Sequence, residues 1–254
     1  MSQWLALTLA MGAACAVVLA IVFINHRRVG DDDDPSETPD VIEYMTMMIG
    51  VVYAIVIGLA IAGVWEGRGA AQESVRQEAQ ALHEVRVRSE AWPQDVHERI
   101  SADVDAYVRQ ITGPEWRTMA DTGELTDKGA QLLLELRRTV TEYRPADEYE
   151  AEAYQPMVDQ VAAADDARSA RADAAGETMP GVVWFGLITG AIIAVGLIFT
   201  LQIRRTSREL LLAGLYSALI AFLLFLIWSI DAPFGRGVAA TTEPFQALFP
   251  GVAS

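Results

Sequence analysis

Four unbroken apolar runs set the limits on this chain: Trp4 to Ile24, Met45 to Trp65, Val182 to Leu201 and Leu210 to Ile230. Each is about 20 residues long, which is what a helix needs to cross a hydrocarbon core of about 30 Å. None carries an Asp, Glu, Lys or Arg internally, so each can enter lipid without burying a charge. The chain is 52% hydrophobic and still has a formal charge of −15. Segregation reconciles the two, because the charges sit between the runs. The reading is an all-α integral membrane protein of the cell membrane, with four transmembrane helices in two hairpins and a helical soluble domain inserted between spans 2 and 3. Residues 1–65 form the first hairpin, 66–178 the soluble domain, 179–231 the second hairpin and 232–254 a C-terminal tail.

The first run does not read as a cleavable signal, since MSQ supplies no basic residue before it. MGAAC resembles a lipoprotein site only faintly, because apolar sequence continues past Cys15. That lone cysteine also excludes an intrachain disulfide framework. The acidic balance argues against nucleic acid as a partner, since phosphate binding needs clustered Lys and Arg.

Arginines place the loops. Arg27 and Arg28 follow span 1, and Arg204, Arg205 and Arg208 lie between spans 3 and 4. Short loops rich in arginine stay cytoplasmic, which puts residues 66–178 on the extracytoplasmic side. Trp4, Trp65, Trp184 and Trp228 then fall at span ends on one face, as an aromatic belt does.

The insert repeats its apolar residues with helical spacing. Ile100, Val104, Tyr107 and Ile111 make one stripe, Val75, Leu82 and Val85 with Ala71 and Ala79 a second, and Leu132, Leu133, Leu136 and Val140 a third. Pro93, Pro114, Pro145 and Pro180 each suit the first turn of a following helix. TGP at 112–114 and DTG at 121–123 read as turns. The expectation is four or five helices.

Nothing forces a break between Met45 and Arg88. Gly67 and Gly69 weaken a helix by about 1 kcal/mol each without ending it. One helix that starts in lipid and finishes in water is the simplest account. Its apolar half carries small residues at every fourth position, Gly50, Ala54, Gly58 and Ala62, a row that lets another helix approach closely. These four, with Tyr53 and Glu66, are candidates for lining a pore or packing helices. Glu73 and Glu78 are candidates for a water-filled vestibule, and the plainer reading makes Glu66 and Glu78 a solvated face.

No cofactor is indicated, and nothing suggests an enzyme: HExxH, a phosphate-binding glycine loop and a Gly-x-Ser-x-Gly elbow are all absent. His26, His83 and His97 lack metal-ligand spacing. Asp31 to Asp34 offer oxygen ligands of the kind calcium takes, without the Asp-x-Asp-x-Asp-Gly spacing that wraps the ion. A solvated acidic loop is the expectation there. Asp231, at the end of span 4, reads as a structural acid, with Arg236 as a candidate partner.

WEGRGAAQESVRQEAQAL after an apolar span, GPEWRTMA at 113–120, MPGVVWFGL opening span 3, and IDAPFGRG and TEPFQALF near the end resemble the bestrophin-like bacterial membrane proteins, a family of unknown function. The resemblance covers most of the chain in order. It implies the two hairpins with a helical domain between them, and a homo-oligomeric channel for inorganic ions lined by span 2, as bestrophins are pentameric anion channels. Span 2 here lacks the phenylalanines that narrow bestrophin pores. The insert has 24 acidic and 13 basic residues, a field that concentrates cations, so a cation preference is expected. The alternative is a membrane-anchored sensor or scaffold whose outer helical domain binds a partner, consistent with spans free of charged residues.

Overall fold

The computed structural model describes residues 40–201, 207–236 and 239–252. Span 1, Cys15, His26, the Arg27–Arg28 and Arg204–Arg205 pairs and the Asp31–Asp34 run lie outside the described residues. Within them every regular element is helical. The chain divides into two compact units, residues 1–65 with 179–231 and residues 66–178 with 232–254.

Helix α1, Asp40–Arg88, is 49 residues long and contributes to both units. It passes Gly67 and Gly69 without interruption, as two isolated glycines allow. In the first unit it is joined by α6, Gly181–Leu201, and α7, Ser207–Ile230. Three described helices, α1, α6 and α7, hold an apolar window long enough to cross a membrane.

Among the described residues the core of this unit is thin. Tyr53 and Ile57 of α1 pack with Leu187, Ala191 and Ala194 of α6 and Ile220 and Ile227 of α7. Tyr53 donates its hydroxyl hydrogen to the Leu187 carbonyl at 2.9 Å. Its ring lies against Gly190, where an added Cβ would come within 2.6 Å of the ring. Asp231 ties the start of α6 to the end of α7, accepting from the Met179 backbone N–H at 2.7 Å and from Trp184 Nε1 at 3.3 Å. Around this core α1 shows lipid-like residues outward, among them Val51, Ile55 and Leu59.

The second unit contains the last part of α1, then a 3₁₀ turn, Ser89–Ala91, and α2, Gln94–Gln110. A π turn, Ile111–Glu115, leads directly into α3, Trp116–Thr122. Helices α4, Asp127–Glu142, and α5, Glu148–Gly176, complete the insert. Thr126 caps α4 by accepting from the Gly129 N–H, and Asp147 caps α5 by accepting from the Glu150 N–H, each satisfying a donor the first helical turn leaves free. Gly123 ends α3 at φ +74°, the left-handed conformation glycine adopts without steric cost. The C-terminal segment belongs to this unit: α8, Glu243–Leu248, and the residues around it bury Phe234, Phe245 and Phe249 in the same core as Val75, Leu82, Ile100 and Leu136.

The GP step at 113–114 does not make the turn expected of it. Pro114 lacks an N–H and its ring crowds the carbonyl four residues back. The backbone answers by widening: the Trp116 N–H reaches the Ile111 carbonyl, five residues earlier. The helix continues, and the wide turn sits where the unit's charged residues meet.

Candidate functional site

Four ionisable side chains lie buried together inside the helical unit. Glu78 comes from α1, Glu115 from the π turn, and Arg168 and Arg171 from α5; none is more than 7% exposed. The sequence places each at the next step of an apolar stripe. Ala71, Val75, Glu78, Leu82 and Val85 advance by four and three residues, as do Met157, Val161, Ala164, Arg168 and Arg171. Glu115 follows Ile100, Val104, Tyr107 and Ile111, and the π turn keeps it facing inward.

Arg171 donates Nε to Glu78 Oε2 at 2.7 Å and Nη2 to Glu78 Oε1 at 3.1 Å. The same Nη2 reaches Glu115 Oε1 at 2.9 Å, and Nη1 lies 3.4 Å from Met119 Sδ. Arg168 forks onto Glu115, at 2.6 Å to Oε1 and 3.0 Å to Oε2, the paired geometry a planar guanidinium provides. Its Nη2 also donates to the Thr126 carbonyl at 3.0 Å. Thr126 gives Glu115 Oε2 both its hydroxyl, at 2.7 Å, and its backbone N–H, at 3.2 Å. Tyr107 closes the ring, donating to Glu78 Oε1 at 2.6 Å and accepting from Arg168 Nη1 at 3.3 Å.

Two carboxylates and two guanidiniums cancel in charge, and each is hydrogen-bonded to several partners, the condition under which buried ions are tolerated. Burial works against ionisation of Glu115. The Arg168 hydrogen bonds, the Arg171 charge and the Thr126 hydroxyl outweigh it and hold the carboxyl at about 2. Burial and the Glu78 carboxylate push the Tyr107 hydroxyl well above its ordinary value. Burial opposes the charge on Arg171, but Glu78 and then Tyr107 and Glu115 more than restore it. Space is tight: a Cβ on Gly129 would fall 2.1 Å from Glu115 Oε2 and 2.8 Å from Arg168. The network is a saturated clamp joining α1, α2, the π turn, α4 and α5.

Glu78 corrects the sequence reading. Expected on a wet face or in a vestibule, it is fully buried, because the α1 stripe that carries Val75 and Leu82 runs through it. The other candidates are dispersed. Glu73 is half-exposed and pairs with Arg76 and Gln77. Glu66, Ala54, Gly58 and Ala62 are exposed, and Gly50 is half-buried. No described residue lies within 4 Å of a Cβ built on Gly50 or Gly58. Tyr53 stands apart from that row and packs on α6. Sequence reasoning missed Arg168 and Arg171, although they are the only cations of α5 and sit on its apolar stripe. Among the described residues no group of three or more His, Cys, Asp or Glu side chains could hold a metal ion.

With this geometry in hand, the bestrophin-like domain model matches residues 12–245. The chain belongs to the bestrophin-like family. Its fold is shared with a tryptophan-to-alanine variant of a bacterial bestrophin homologue from Klebsiella pneumoniae, at TM-score 0.73 and 14% identity, covering 100% of this chain and 96% of that one. A second structure of a K. pneumoniae bestrophin homologue, phased on zinc, gives TM-score 0.69 at 14% identity, with 97% and 94% covered. A glycine-to-alanine variant of a membrane protein gives TM-score 0.70 at 13% identity, with 97% and 95% covered. At these identities the likeness is one of fold. No curated protein sequence matches the chain. In this bestrophin-like protein the apolar helices and the polar helical unit therefore follow a bestrophin framework, and the charged clamp lies in the polar unit.

Proposed function

We propose that this bestrophin-like protein is an oligomeric ion channel of the cell membrane in which the first part of α1 lines a central pore. The observation that carries the reading is the row Gly50, Ala54, Gly58 and Ala62, which one chain leaves largely uncovered by its described residues. A row of small residues that the described residues leave open suits the same helix in neighbouring copies. Family membership favours conduction over the sensor or scaffold reading. The pore would be gated by its width and apolar lining, since these spans offer no charged residue.

The second unit bears 24 acidic and 13 basic residues between positions 66 and 178. Charge of that sign enriches cations nearby, so the channel prefers cations. The arginine loops favour four spans, with the polar unit on the extracytoplasmic side.

Purified protein in liposomes tests this. A potassium chloride gradient should give a reversal potential displaced toward the potassium equilibrium value, and Gly58→Trp should abolish the current. Absence of flux across voltage, calcium and pH, from protein shown to be inserted, would overturn the channel reading. Thiol labelling of Asp121→Cys in intact cells, in a Cys15→Ser background, should mark the outer face.

A further inference from the structure

The helical unit has an open groove of about 820 Å³ between α1 and α5. Ala163, Ala167 and Ala170 form its α5 wall, and Glu84 and Asp166 lie on its two sides. No Lys or Arg lines it. Alanines at this spacing leave a shallow channel into which another helix could settle closely. His83, also in the lining, has a buried Nδ1 with no hydrogen-bond partner among the described residues. A buried ring nitrogen left unpaired costs stability.

Elsewhere on the unit, α4 presents a stripe that complements this groove. Gln131, Leu134 and Arg138 are exposed along one face of α4. Leu134 is 47% exposed, an uncovered aliphatic knob in a unit whose other leucines are largely buried. Arg138 has no ion-pair partner among the described residues, and neither has Asp166.

The chain cannot satisfy the groove with its own α4. Asp165 of α5 bonds Arg137 of α4 at 2.8 Å, so α4 lies on the Asp165 flank of α5. Ala163 and Ala167 are each two residues from Asp165, about 200° around the helix. The groove therefore opens on the opposite flank.

We propose that this groove seats helix α4 of a second copy of the chain, with Leu134 over the alanine wall and Arg138 against Asp166. The inference rests on the oligomeric reading above and adds the surface by which copies meet. The contact is head-to-tail, groove to stripe, and such contacts propagate from copy to copy until a ring closes. Net repulsion between acidic units is screened by salt over about 8 Å, which leaves the local pairing to decide the register.

Disulfide trapping tests it on the full chain in liposomes and in detergent. The background is Cys15→Ser, which removes the chain's lone cysteine. Leu134→Cys combined with Ala163→Cys or Ala170→Cys should give, on oxidation, a ladder of dimers and higher species. Each single variant alone should give none, and a mixture of the two singles should give dimers only. Asp166→Arg should cut the cross-linked yield about tenfold, and Arg138→Asp added to it should restore the yield. No ladder from protein that light scattering shows to be oligomeric overturns this surface and leaves the oligomeric reading standing. Cross-linking by Leu134→Cys alone also overturns it, in favour of a symmetric α4 contact. A monomer by both methods removes both readings.

Discussion

Arg171 grips both carboxylate oxygens of Glu78 across 93 residues of chain, at 2.7 and 3.1 Å, with both side chains fully buried. The pair joins the polar part of α1 to α5. Removing one member leaves the other as an uncompensated ion in the core, a loss of about 3–5 kcal/mol. Glu78→Ala and Arg171→Met should each lower the thermal unfolding midpoint of the purified protein sharply, read by circular dichroism. The double variant Glu78→Leu with Arg171→Met should be less damaged than either single change. If the singles prove as stable as wild type, the clamp contributes nothing.

Glu115 gives the unit a defined acid response. Its carboxyl is held at about 2, below the ordinary value of 4.5. A carboxyl whose value drops on folding adds stability that is fully present above 4.5 and lost as pH falls toward 2. The unfolding midpoint should therefore decline across that window. Glu115→Gln should be less stable at neutral pH and show a flatter acid limb. A wild-type limb no steeper than that of the variant would count against the network.

Gly129 should not tolerate a methyl group. The added Cβ would stand 2.1 Å from Glu115 Oε2, and a buried carboxylate held by Arg168 and Thr126 has little room to retreat. Gly129→Ala should cost about 1–3 kcal/mol despite alanine's better helix propensity. Ala130→Gly, at the exposed neighbouring position, should cost about 1 kcal/mol or less.

In the apolar unit, Gly190 is the position that the Tyr53 ring fills. A Cβ there would come within 2.6 Å of that ring, whereas one on Gly186 meets no described residue within 4 Å. Gly190→Ala should reduce thermal stability in detergent while Gly186→Ala leaves it unchanged. Tyr53→Phe removes the bond to the Leu187 carbonyl and should cost about 1 kcal/mol. Equal behaviour of the two alanine variants would mean that α1 does not pack on α6 in this way.

Much of the architecture could be read from the chain. Apolar length with no charge marked the helices of residues 45–65, 182–201 and 210–230, and the stripes at Val75, Ile100 and Leu136 marked the helical insert. What hid the clamp was the habit of reading charge as surface. Glu78, Arg168 and Arg171 occupy core positions by spacing, and each looks solvated when taken alone. Only the partner, 93 residues away for Glu78 and Arg171, makes burial affordable, and one-dimensional spacing does not show which stripes will face each other. Pro114 misled in another way. Its usual effect is to end a helix, and the wider turn that accommodates it is a tertiary outcome.

That wide turn sets the electrical balance of the interior by counting residues. A backbone loop five residues long holds one more than an α turn, and this one ends on Glu115, the carboxylate that Arg168 grips. Deleting a single residue from Ile111–Glu115 would swing the carboxylate about 100° aside and leave Glu78 alone facing two guanidiniums. Length at this point in the chain is therefore as strictly constrained as the identity of any charged residue it presents.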